Sequence, residues 1–87
     1  MDWNFDTPEN IQEFIVHLVN ELEGIGETDL LRELKDWRDT FFTTSTEYFG
    51  ELLVITKQLL NNKPKLSRTD IKNLKRLMLT LEDVLRG

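Results

Sequence analysis

The sequence contains no cysteine, one histidine, two prolines and four glycines. Absence of cysteine excludes a disulfide scaffold, a thiolate metal site and a cysteine nucleophile, and it predicts a reducing, cytoplasmic setting. A single His17 leaves out the paired Glu-x-x-His sets of diiron bundles. The few glycines form no phosphate-binding loop and no nucleophile elbow; Gly24-Ile25-Gly26 reads as a helix stop. Long apolar runs are missing too. The longest is Leu52 to Ile55, whereas a membrane span takes about 20 residues. The acidic start, Met1-Asp2-Trp3-Asn4-Phe5-Asp6, has neither the basic beginning nor the apolar core of a secretory leader. A soluble protein is the expectation.

With 87 residues, the chain is expected to form a single domain around one core. A chain of this size buries only about 60% of the surface its unfolded form exposes. Helix packing, helped by self-association, must then supply what disulfides supply elsewhere. A homodimer is one such solution.

Charge is unevenly distributed. Residues 1–62 hold four Lys/Arg against thirteen Asp/Glu, whereas residues 63–87 hold seven against three, within a net charge of −5. The acidic balance argues against nonspecific binding to nucleic acid or anionic membranes, because the net field repels phosphate. All eight aromatics precede residue 50, so no stacking platform accompanies the basic tail. The tail has two expected partners: the acidic part of the same chain, or an acidic surface elsewhere.

Periodicity defines helices. Thr7-Pro8-Glu9 combines an N-cap, a first-turn proline and an acid at the positive dipole end. Ile11, Phe14, Ile15, Leu18, Leu22 and Ile25 follow at spacings of three and four, which predicts a helix over 8–23. Thr28-Asp29 restarts the chain in a second helix, 29–42, with Leu30, Leu34, Trp37 and Phe41 on its core side. Tyr48, Leu52, Ile55 and Leu59 continue that stripe in phase. One unbroken helix over 29–61 would be about 50 Å long, roughly twice its neighbours. Thr44 with Glu47 fits a capping box inside the Thr43-to-Thr46 segment, which predicts a break and a third helix over 46–61. Pro64 then forces a loop, and Ser67 with Asp70 caps a fourth helix over 68–86. The expected fold is all-α: a small antiparallel bundle of four short helices behind an N-terminal arm, residues 1–6. The alternative is three helices with a long central one bent at 43–46.

The most distinctive candidate site is the face of the last helix opposite its apolar arc. Lys65, Arg68, Lys72, Lys75 and Arg76 lie there with Leu79 among them, and Arg86 follows. Cations around an exposed apolar anchor suit docking on an acidic protein partner. The plainer reading is a solvated helix face. Glu13, His17 and Glu21 share one flank of the first helix; a solvent-exposed Glu/His ladder accounts for them better than a metal row or an acid/base site. Trp3 and Phe5 are expected to fold back over the bundle. Phe42, Phe49, Leu53 and Leu60 form a second stripe, so the aromatic middle segment has more apolar surface than one neighbour covers. Either a central position or an interface follows.

Over residues 8–86 the layout resembles that of small bacteriocin immunity proteins, on Leu66-Ser67 and Leu74-Lys75-Arg76-Leu77. Those proteins are often basic and this chain is acidic. The resemblance implies an immunity or inhibitor-type bundle. Trp37-Arg38-Asp39 resembles the Trp-x-Gly turn of small secreted helical-hairpin proteins, with Asp in place of the glycine. The residues themselves point to a noncatalytic interaction or regulatory protein. It would bind another protein through the basic face of the last helix or the aromatic middle segment, without catalytic residues, cofactor or metal.

Overall fold

The computed structural model describes residues 3–26, 28–62 and 66–86. Four helices make up the fold: α1 (Pro8–Ile25), α2 (Asp29–Asp39), α3 (Ser45–Asn62) and α4 (Arg68–Arg86). The four-helix form is therefore the correct one, and the chain does break between α2 and α3. Three starts are fixed by the predicted caps. Thr7 accepts from the Asn10 amide at 3.2 Å, Thr44 from the Glu47 amide at 3.1 Å, and Ser67 from the Asp70 amide at 3.1 Å. Each satisfies one of the amide donors that a helix start leaves without an intrahelical partner.

The helix ends are less regular. α1 runs through Gly24 and stops at Gly26, whose φ of 76° and ψ of 16° place it in the left-handed region. Its amide returns to the carbonyls of Glu23 and Leu22, a closure that a side chain at that φ would strain. The helix is thereby two residues longer than expected and leaves Ile25 exposed rather than on the core stripe. α2 ends three residues early. Thr40 adopts an extended backbone, φ −80° and ψ 137°, which swings the next residues out of helical phase. Phe41, expected in the core, is 90% exposed, and Phe42 turns inward against Trp37 and Tyr48 instead.

Packing follows chain order: α1 lies on α2, α2 on α3, and α3 on α4. The body measures 34 × 25 × 22 Å. One cluster of buried side chains fills it, with Phe14, Leu18, Leu22, Leu34, Leu52, Leu59, Leu74, Leu77 and Leu81 fully enclosed. α3 packs against both α2 and α4, which explains its two apolar stripes. Leu52, Ile55 and Leu59 are buried, while Phe49, Leu53 and Leu60 pack at the margin of the same core.

The N-terminal arm folds back as expected. Phe5 is buried against Phe14 at 5.2 Å between ring centroids, and Trp3 lies 5.3 Å from the same ring. Asn73, fully buried on α4, accepts from the Trp3 amide and from the Arg76 guanidinium, and its own amide donates to the Thr69 carbonyl. A buried side-chain amide with these bonds incurs no desolvation penalty for missing partners. It ties the arm to α4.

Candidate functional site

The proposed docking residues of α4 divide into two groups in the structure. Lys65 lies outside the described residues. Arg68, Lys72, Lys75 and Leu79 are all exposed, with Leu79 at 62%. Their spacing of four, three and four keeps them on one ridge of the helix. Arg76 is engaged within the chain: it donates to Asn73 at 2.9 Å and sits 5.7 Å above the Phe5 ring. That side chain holds the arm in place.

Among the described residues, no Asp or Glu forms an ion pair with a Lys or Arg of α4. The Lys/Arg ion pairs among these residues are Lys35 with Glu23 and Arg38 with Asp39, and neither involves α4. Lys75, Leu79 and Met78 instead border a shallow groove with Lys57 and Leu60 of α3. The ridge is thus an open surface whose charges have no ion-pair partner among the described residues.

A second surface arises from the α2–α3 junction. The five residues between these helices are too few to cross the bundle, so α2 and α3 lie antiparallel. Trp37 fastens them: its indole N–H donates to the Tyr48 carbonyl at 2.9 Å, and the two rings lie 4.7 Å apart. Phe42 closes the cluster edge-on to Tyr48 at 5.7 Å. Beside this joint is a cleft of about 470 Å³. Trp37, Phe42, Val54 and Ile55 supply its apolar lining; Glu33 and Asp36 of α2 and Glu47 and Glu51 of α3 supply four carboxylates. No Lys, Arg or His contributes to the lining among the described residues. Phe41 stands exposed between two lining residues, Thr40 and Phe42.

Such a cleft attracts a cation and gives an apolar side chain a place to lose water. The carboxylates point into an open, solvated groove, where opposite charge is selected without the desolvation that burial of an ion would impose. Sequence reasoning singled out the aromatic middle segment but not its acidic rim, because the acids come from two helices. One signal was available: Glu47, Glu51, Val54 and Gln58 repeat at four, three and four on α3.

The expected exposed ladder on α1 needs correction. His17 is half-buried, lies 5.5 Å from the Trp3 ring, and places Nε2 2.8 Å from Asp70 Oδ1 on α4. Asp70 is buried, with its side chain only 6% exposed. His17 therefore clips α1 to the start of α4 across 53 residues of sequence, a partner no same-helix spacing could reveal. His17, Glu21 and Asp70 offer ligand atoms within 4.8 Å of one another. Asp70 occupies the first turn of α4, where the helix dipole favours an anion and opposes a cation. Its bond to His17 makes a structural clip the simpler account.

No helix among the described residues is long and apolar enough to cross a membrane. Comparison of the chain with protein-family models, with curated proteins and with solved structures found no match.

Proposed function

We propose that this chain is a noncatalytic interaction module whose partner-binding surface is the α2–α3 cleft. The observation that carries this reading is the composition of the cleft: four carboxylates around an apolar lining that includes Trp37 and Phe42, with no cation lining it among the described residues. A protein segment presenting Lys or Arg beside an apolar side chain matches that arrangement. Charge would steer the encounter, and the aromatic lining with exposed Phe41 would hold the anchor. The immunity or inhibitor-type role is the narrower form of the same idea, since an acidic module of this kind would mask a basic working surface of its target.

Affinity capture tests the proposal. Glu47→Lys with Glu51→Lys should abolish capture of a partner that the unmodified protein retains, with helicity and melting temperature preserved, because both sites are exposed. Undiminished capture by the folded double variant would remove the cleft from consideration. The ridge formed by Lys72, Lys75 and Leu79 would then be the surface to examine.

A further inference from the structure

We infer that the cleft accepts α4 of a second copy of this chain, so that the protein associates with itself through two different surfaces. This rests on the reading of the cleft as a docking site and names its occupant. Two charge patterns on one molecule are without ion-pair partners among the described residues. Along α3, the cleft wall presents Glu47, Glu51, Val54 and Gln58. Along α4, the exposed ridge presents Arg68, Lys72, Lys75 and Leu79. Both series are spaced four, three and four, and both cover about 16 Å of helix.

Laid parallel, the two helices bring Arg68 to Glu47 and Lys72 to Glu51. Lys75 then falls level with Val54, on the side where Glu33 of antiparallel α2 also lines the cleft. A convex helix ridge entering the groove between two helices is an ordinary mode of helix packing. The chain cannot make this contact with itself. Its own α4 packs against α3, and the ridge faces away from that core. A second copy supplies what a single chain leaves open.

Net charge does not forbid the contact. Copies carrying −5 each repel at long range, but the Debye length at physiological ionic strength is about 8 Å. The bodies are at least 22 Å across, so that repulsion is largely screened while the facing side chains remain within reach. Because the two surfaces differ, the contact either closes reciprocally in a two-fold pair or continues head to tail. Both raise the mass above the 10.3 kDa of one chain.

Charge exchange tests the inference. Sedimentation equilibrium at 0.15 M salt should show concentration-dependent mass for the unmodified protein. Glu47→Lys/Glu51→Lys and Lys72→Glu/Lys75→Glu, each alone, should raise the apparent dissociation constant about 100-fold or more, the scale of losing close charge pairs. Mixing the two variants should restore association, because the unchanged ridge of the first then meets the unchanged cleft of the second. Unmodified protein that stays monomeric at millimolar concentration overturns the inference, as does a mixture of folded variants that fails to associate. A synthetic amphipathic helical peptide with Arg, Lys, Lys and Leu at spacings of four, three and four separates the two claims. Peptide binding to a monomeric protein, lost in Glu47→Lys/Glu51→Lys, would overturn self-association and leave the cleft as a docking site for another protein. Absence of peptide binding as well would overturn both.

Discussion

The Trp37 indole donates its proton to the backbone carbonyl of Tyr48 at 2.9 Å, and with the ring contacts of Trp37, Phe42 and Tyr48 this bond joins α2 to α3. Trp37 sits near the end of α2 and Tyr48 near the start of α3, so the bond ties the two helices together beside the acidic cleft that Trp37 also lines. Trp37→Phe should cost about 1 kcal/mol for the lost hydrogen bond and leave the fold intact. Trp37→Ala should cost about 3–5 kcal/mol. Chemical denaturation of both variants measures the difference.

His17 should matter for stability rather than for chemistry. Removing it as His17→Ala leaves the buried Asp70 carboxylate without its partner and takes a ring away from Trp3 and Phe14. A loss of about 1–3 kcal/mol is expected for the orphaned acceptor. His17→Gln, which can still offer a donor, should recover part of it. Equal losses in the two variants would show that ring packing, not the bond to Asp70, is what His17 contributes.

The caps provide an independent check on where the helices begin. Thr44→Ala and Ser67→Ala each remove a side-chain acceptor from a helix start, at about 1 kcal/mol apiece. The sites lie at opposite ends of α3, so the losses should add in the double variant. Thermal melts of the three proteins test this.

Phe41 is the residue whose exposure most needs a reason. Phe41→Ser should change the melting temperature little, since the ring is 90% exposed and surface changes usually stay within about 0.5 kcal/mol. It should weaken partner capture. A variant that melts lower and binds normally would assign Phe41 to the fold instead.

How far the sequence reveals this molecule depends on range. Local signals were decisive: Thr7, Thr44 and Ser67 each cap the helix they were expected to cap, and Pro8 opens α1. Phase was reliable within a helix and failed where one ended. Phe41 matched the α2 stripe only if the helix continued, and the extended Thr40 stopped it. Contacts between distant residues were invisible. Nothing near His17 points to Asp70, and Arg76, grouped with the docking cations, proves to hold Phe5 and Asn73. The acidic cleft was half legible, as a stripe on α3; its other wall required knowing that α2 lies alongside.

The most direct test of the account is amide and indole NMR shift mapping on the labelled protein, titrated with the amphipathic Arg/Lys/Lys/Leu peptide described above. If the α2–α3 cleft is the docking surface, shifts should concentrate at Glu33, Asp36, Phe42, Glu51 and Val54, with the Trp37 indole resonance moving among them. Shifts confined to Lys57, Lys75, Met78 and Leu79, or none at saturating peptide, would contradict it.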